Sequence, residues 1–101
     1  MERLTTTIER SWLADIIAGT KRTEYREIKR YWTKRLSSVG RPFELRLING
    51  MHKDAPEVTV LITRVTPNRS AGHYALTIGR VLGWKHWDRR RQLPSSRRRA
   101  G

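Results

Sequence analysis

The sequence predicts a small α+β domain in which about five or six short strands form a curved sheet or barrel and two short helices lie near the N-terminus. Three observations support this class. The chain of 101 residues has the size of one domain. Five short segments rich in apolar and β-branched residues are bounded by glycine, proline or polar turns, as the strands of a small sheet are. Two segments with apolar residues at helical spacing lie between the first three of them.

The first two elements are predicted to be a strand and a helix. The β-branched segment LTTTI, residues 4–8, favours a strand. The segment RSWLADIIAG, residues 10–19, favours a helix with Ser11 as its N-cap and Gly19 at its end. Its apolar positions share one helical face, so we expect Trp12 to be buried.

The next two elements are predicted to be a strand and a helix again. The segment RTEYREI, residues 22–28, alternates in a way that favours a short strand, with a helix as the competing interpretation. On a strand, Glu24 and Arg26 would share one face. The segment EIKRYWTKRLSSVG, residues 27–40, is typical of a basic amphipathic helix with Trp32 in the core.

Three further strands are predicted in the second half of the chain. They are RPFELRLING (41–50), EVTVLITRVT (57–66) and YALTIGRVLGW (74–84). The first alternates apolar with charged residues, which indicates a half-buried strand. The second carries apolar residues on both faces, which predicts a central strand.

The composition is strongly basic, with 22 Lys and Arg against 9 Asp and Glu and a formal net charge of +13. Such an excess repels itself, and a polyanion relieves that repulsion. Nucleic acid is therefore the expected partner; an anionic membrane surface and a protein that is merely basic are the alternatives. Residues 85–101 contain seven Lys and Arg and one acid. We expect a domain of residues 1–88 followed by a basic, disordered tail of residues 89–101.

Several classes of protein are disfavoured. The chain has no cysteine, which excludes disulfides, thiolate metal sites and a cysteine nucleophile. His52, His73 and His86 are too scattered for a helical zinc pair, so no metal or other cofactor is expected. No apolar run approaches the roughly 18 residues that span a bilayer, and the N-terminus lacks the plan of a secretory signal. We expect a cytoplasmic protein without a membrane partner, monomeric by default.

The segment GTKRTEYR, residues 19–26, collects charges of both signs just after the first predicted helix. Gly19 allows a left-handed turn, while Lys21 and Arg26 supply a point charge and a planar fork, both suited to phosphate oxygens. Glu24 is placed to hold the arginine or to act as a general base. The plainer interpretation is a surface ion pair that stabilises the strand by a few tenths of a kcal/mol.

The spacing Gly19-x-Lys21-x-x-Glu24-x-Arg26 resembles the GxKxxExR signature of the ASCH family, a branch of the PUA-like superfamily. The order of the predicted elements is also similar to that family over roughly residues 4–82. The resemblance implies a small PUA-like β-barrel with a cleft, lined by the charged side chains of the motif, that binds RNA or nucleotides.

The resemblance also implies two enzymatic alternatives. In a ribonuclease, Lys21 would stabilise the phosphorane-like charge, and Glu24 or Tyr25 would transfer protons. A small amidohydrolase branch, which acts on a modified nucleoside, has a threonine nucleophile in the pattern GxKxxTxR. Here the matching residue is Glu24, and Thr23, one residue away on a strand, points the other way. The ribonuclease is therefore the preferred alternative.

Basic residues and tryptophans outside the motif are further candidates for nucleic-acid contact. Trp84 and Trp87 are expected either to stack on bases or to seal the end of the barrel. His73, if it lies beside the cleft, is a candidate general acid or base. A basic module that binds an acidic protein is the third functional alternative. The predicted nucleic-acid contacts are Lys21, Arg22, Arg26, Lys29, Arg30, Arg69, Trp84, Lys85, Arg89, Arg90 and Arg91.

Overall fold

The structure, a computed structural model, describes residues 1–95. It contains two helices and seven strands in this part of the chain, and both predicted helices and all five predicted strands are present. The helices are α1 (Arg10–Ala18) and α2 (Arg30–Ser37). The strands are β1 (Arg3–Thr7), β2 (Thr23–Glu27), β3 (Phe43–Ile48), β4 (Glu57–Asn68), β5 (His73–Lys85), β6 (Trp87–Asp88) and β7 (Leu93–Pro94). The predicted α+β class is confirmed.

The first five strands form one sheet in the order β1-β3-β4-β5-β2. β1 and β3 are parallel, and the other neighbours are antiparallel. β4 occupies the centre of this order, as its two apolar faces predict. The edge strands are therefore β1, which comes first in the chain, and β2, which follows α1.

The sheet curls because β4 and β5 are long and irregularly paired. β3 pairs with residues 57–62 of β4, whereas β2 pairs with residues 73–77 of β5, at the other end of the same hairpin. Register shifts within residues 59–64 of β4 bend the hairpin. At the bend, a Cβ on Gly79 would lie 2.6 Å from Thr63 Cγ2, so only glycine fits there.

The curl brings the two edge strands close together without pairing them. Arg26 Nη2 on β2 donates a hydrogen bond of 2.8 Å to the Thr7 carbonyl oxygen on β1. The sheet is therefore a curled half-barrel rather than the closed barrel that was one of the predicted forms. The gap between β1 and β2 is called the seam below.

The core is built from the concave face of the sheet and from the two helices. Its largest fully buried apolar side chains are Leu13, Ile16, Phe43, Leu45, Leu47, Ile62, Leu76, Val58 and Val60. On β3, three apolar residues point inward and the charged residues between them point outward, as predicted. Trp32 and Leu36 bury one side of α2 against this core, which confirms the prediction for Trp32.

The ends of α1 agree only in part with the sequence prediction. Gly19 ends the helix with a left-handed φ of 89°. Its N–H bonds to the Ile16 carbonyl, and the next residue's N–H bonds to the Asp15 carbonyl, which makes a Schellman turn. The N-cap is Glu9, without a side-chain cap, and not Ser11, which lies inside the helix.

The C-terminal part of the described chain is more structured than predicted. β6 and β7 pair as a two-stranded hairpin, with Trp87 opposite Pro94 and Asp88 opposite Leu93. The predicted boundary at residue 88 therefore falls inside a hairpin, and residues 89–94 continue the fold. Residues 96–101, the rest of the predicted tail, lie outside the described residues.

Candidate functional site

The four residues of the motif lie at the junction of α1 and β2. Gly19 ends the helix, and β2 carries Glu24 and Arg26 on one face, as predicted. The Lys21 ammonium reaches the edge of this strand, where Nζ donates to the Thr23 carbonyl at 2.7 Å. The helix end and the strand edge together fix where the two cations of the motif lie.

Glu24 is buried beneath the two cations. Its side chain is 1% exposed, with Arg26 Nη2 at 2.6 Å from Oε2 and Lys21 Nζ at 3.5 Å from Oε1. It lies opposite Leu76 on the core face of the sheet. The sequence predicts that the three charged side chains open together onto a cleft. In the structure they do not, because the carboxylate is buried between the two cations as an internal anion. In this arrangement Glu24 cannot contact a substrate, so a role as general base has no geometric support.

Arg26 also closes the seam. Besides its bond to the Thr7 carbonyl, its guanidinium lies 5.2 Å from the centroid of the Trp32 ring. Arg35 on α2 repeats this arrangement: it donates to the Thr5 carbonyl at 2.8 Å and lies 5.4 Å from the same ring. Two arginines thus satisfy carbonyl groups of the β1 edge that no strand pairs with.

Two exposed aromatic rings flank Lys21. Trp12 on α1 is 46% exposed and Tyr25 on β2 is 51% exposed. Lys21 Nζ lies 5.3 Å from the centroid of each ring, within cation–π distance. The prediction that Trp12 is buried is therefore wrong.

The position of Trp12 on its helix explains its exposure. The buried residues of α1 are Leu13, Ile16 and Ile17. At 100° per residue, Trp12 lies about 90° from the centre of this stripe, at its margin. The sequence did contain a signal for the exposure of Trp12. This aromatic residue lies at the margin of the apolar stripe of a helix that leads directly into the charged motif.

The rings of Trp12 and Tyr25 line two depressions. One, of about 350 Å³, is lined by Trp12, Asp15, Thr20, Lys21, Arg22, Thr23 and Tyr25. The other, of about 460 Å³, is lined by Thr7, Ile8, Glu9, Trp12, Tyr25, Arg26 and Asn49. Exposed aromatic faces beside lysine and arginine can stack a planar ring and neutralise a nearby anion.

The remaining predicted contacts lie toward the two ends of β5. Lys29 and Arg30 follow Ile28, whose N–H bonds to the Gly72 carbonyl in the turn that contains Arg69. These three cations therefore lie at the start of β5, and Lys29 is paired with Glu27 at 3.0 Å. They do not line the depressions at Trp12.

A second predicted group lies at the far end of β5, a strand of 13 residues. Trp84 is exposed, and the Arg89 guanidinium lies 5.8 Å from its ring. Arg89 also donates to the Ile17 carbonyl at 3.2 Å, near the C-terminal end of α1. Trp87 is buried, so it belongs to the core rather than to a stacking surface. The other exposed members of the group are Lys85, Arg90 and Arg91.

The outer face of the sheet carries a second arginine–glutamate pair. Arg46 on β3 donates two hydrogen bonds to Glu57 on β4, at 3.0 and 2.8 Å. This hydrogen-bonded partner lowers the pKa of Glu57, although burial opposes the shift. The same contact raises the pKa of Arg46 above its usual value. Both groups are therefore ionised at neutral pH.

Within residues 1–95, no helix is long and apolar enough to cross a membrane. The same residues contain no cluster of three or more His, Asp or Glu that could hold a metal ion. Comparison of the chain with protein-family models, with curated proteins and with solved structures gave no match.

Proposed function

We propose that this protein binds RNA or a nucleotide-containing ligand beside the seam and that it is an ASCH-like domain. In this proposal the rings of Trp12 and Tyr25 stack on bases, and Lys21, Arg22 and Arg26 neutralise phosphate. Glu24 holds Lys21 and Arg26 from below and does not contact the ligand. The proposal places the protein in the cytoplasm.

The observation that carries the proposal is the pair of exposed rings around Lys21. Trp12 and Tyr25 are large aromatic side chains that are about half exposed, and both lie beside the same lysine. Stacking of a base on such a ring contributes about 1–3 kcal/mol and works for any base. Lys21 Nζ lies 5.3 Å from the centroid of each ring, so it would supply positive charge beside a nucleotide stacked there.

Two further features support the same ligand. The net charge of +13 favours a polyanion over a neutral or basic partner. The spacing of Gly19, Lys21, Glu24 and Arg26 resembles the ASCH signature, and the two cations of this motif, Lys21 and Arg26, line the depressions. Neither feature alone identifies a site, but the motif coincides with the exposed rings.

The test is a titration of the purified chain into fluorescein-labelled single-stranded RNA, followed by anisotropy. We expect Trp12→Ala and Tyr25→Ala each to weaken binding about tenfold, corresponding to about 1.4 kcal/mol of lost stacking. Leu82→Ala is the matched control, because this exposed apolar residue on β5 lines neither of the two depressions and its replacement leaves the net charge unchanged. Equal affinities of all four proteins would refute the proposed site.

A ribonuclease acting at the same site is the second candidate. It is favoured by the contact between Tyr25 and His73, whose ring centroids are 4.8 Å apart. His73 Nδ1 is buried and has no hydrogen-bond partner within residues 1–95, so proton exchange with a substrate would use Nε2. In this candidate Tyr25 and His73 would transfer protons, and Lys21 would stabilise the charge on phosphorus.

Electrophoresis of the labelled RNA after incubation separates the two candidates. A binding protein returns intact RNA, and a ribonuclease gives fragments that disappear with His73→Gln while anisotropy still reports binding. Fragments that persist in His73→Gln would exclude this histidine from the chemistry.

A further inference from the structure

A third depression continues the two beside Trp12 and Tyr25. It has a volume of about 230 Å³ and is lined by Ile16, Gly19, Lys21, Arg22, Ile78, Gly79, Arg80 and Val81. It shares Lys21 and Arg22 with the 350 Å³ depression, which in turn shares Trp12 and Tyr25 with the 460 Å³ depression. The three depressions therefore adjoin one another at shared lining residues, and together we call them the seam groove.

The seam groove is longer than one nucleotide. It extends from Arg26, which lies opposite Tyr74 in the sheet, to Arg80 on the same strand as Tyr74. Six residues of strand span about 20 Å. At the stacked spacing of about 3.4 Å this length accommodates up to about six nucleotides.

The charge along the seam groove is not uniform. The depression at Arg26 also contains Glu9, and the middle depression contains Asp15. The third depression is lined by cations without a carboxylate. Within residues 1–95 neither Arg22 nor Arg80 forms an ion pair. The Arg80 end is therefore the part of the groove with the most uncompensated positive charge.

We propose that the seam groove holds a single-stranded nucleic acid over several nucleotides, with Arg22 and Arg80 on its phosphates and Trp12 and Tyr25 stacked on its bases. This inference rests on the proposed function, which a mononucleotide would already satisfy. It adds Arg80 to the binding residues, and it specifies an extended strand rather than a single nucleotide as the ligand. β5 continues from Arg80 to Trp84 and the adjacent Arg89, so a longer strand would meet a further aromatic ring.

The experiment measures affinity against length with 5′-fluorescein oligouridylates of two, four, six and eight nucleotides and with UMP as an unlabelled competitor. We expect Kd to fall at least tenfold between two and six nucleotides. Arg80→Ala should abolish most of this gain while leaving the Kd of the dinucleotide within twofold. It should also reduce the slope of log K against log salt for the hexamer by about 0.7, the value for one phosphate contact on a single strand.

Arg64→Ala is the matched control. This arginine is exposed on β4, in the same hairpin, and lines none of the three depressions. We expect its length dependence and salt slope to be within error of those of the unmodified chain. An equal loss in both variants would show that only net charge matters, and this result would overturn the role of Arg80.

The remaining outcomes separate the two proposals. Binding that is equally strong for two and for eight nucleotides overturns the extended groove and leaves the proposed function intact. Absence of binding to UMP and to every oligouridylate, with an oligoadenylate series equally negative, overturns both. Because Arg80 is exposed, circular dichroism and thermal unfolding of the variant should match those of the unmodified chain, and Arg80→Glu supplies a second variant with a larger expected loss.

Discussion

Two arginine–glutamate pairs on opposite faces of the sheet show that the same two residue types can have different roles. On the outer face, Arg46 and Glu57 pair one to one through two hydrogen bonds. On the core face at the seam, the single buried carboxylate of Glu24 lies between Arg26 and Lys21. The outer pair is electrically neutral, whereas the seam cluster keeps a net positive charge.

This difference shows that the number of basic residues does not locate a binding site. Two arginines of the outer face, Arg3 and Arg46, each have a glutamate partner on the neighbouring strand at 2.8 Å. At the seam, two cations share one anion and exposed aromatic rings lie beside them. Uncompensated charge together with an apolar stacking surface is what distinguishes the candidate site.

The largest expected effect is on folding stability when the seam cluster loses its anion. Glu24→Gln leaves Lys21 and Arg26, which are 16% and 17% exposed, without a counter-charge. We expect the free energy of unfolding to fall by about 3 kcal/mol, as in other broken buried pairs. Urea unfolding followed by tryptophan fluorescence measures this loss.

Glu27→Gln is the control for this prediction, because Glu27 lies on the same strand and pairs with Lys29 in an exposed position. We expect a loss below about 0.5 kcal/mol for it. If the two variants lost the same amount, the buried carboxylate would not be the residue that holds the cations.

A smaller effect is expected on the outer face. Glu57→Gln should lower the free energy of unfolding by about 1 kcal/mol, since it removes one charge-assisted pair that is largely but not fully buried. Arg46, whose side chain is 35% exposed, can turn to water in this variant. Chemical denaturation at pH 7 measures the difference, and a loss as large as that for Glu24→Gln would remove the contrast between the two faces.

The Glu57 pair also has a pH dependence with a definite sign. Because the folded-state pKa of Glu57 is lowered, its contribution is fully present above the usual carboxyl value of about 4.3 and is lost as the pH falls through the folded-state pKa. The unmodified chain and Glu57→Gln should therefore differ by a constant amount from pH 7 down to about 5 and converge in more acidic solution. A difference that persisted unchanged at pH 2 would contradict this assignment.

The smallest effect is expected for the exposed pair of Arg3 and Glu44. Glu44→Gln should change the free energy of unfolding by less than about 0.5 kcal/mol, because solvent screens both partners. Differential scanning calorimetry in low and in high salt measures this change. A loss above 1 kcal/mol would contradict the expectation that solvent screening makes this ion pair weak.

Most of the fold follows from local sequence patterns. Alternation in FELRLI and the apolar run in EVTVLI predicted β3 and β4, two interior strands of the sheet, and Gly19 predicted the end of α1. The short hairpin of β6 and β7 was not predicted, because two-residue strands leave no periodic signal and the arginines between them favour disorder.

The candidate site was predictable only in part. The motif located Lys21, Glu24 and Arg26, but it could not show that Glu24 is buried, because burial of a charge depends on partners that reach it in three dimensions. The exposure of Trp12 was not predicted, for the same kind of reason. Its helix position is marginal, and only the packing of α1 on the sheet decides which way a marginal side chain faces.

By itself, the sequence determined the order of strands and helices, the basic charge and the position of the charged motif after α1, since these depend on local periodicity and composition. The tertiary structure alone decided that β1 and β2 meet at a seam and that Trp12 faces it. It also decided that Arg22 and Arg80 line one depression, because the pairing of β2 with β5 brings together residues more than 50 positions apart in the chain.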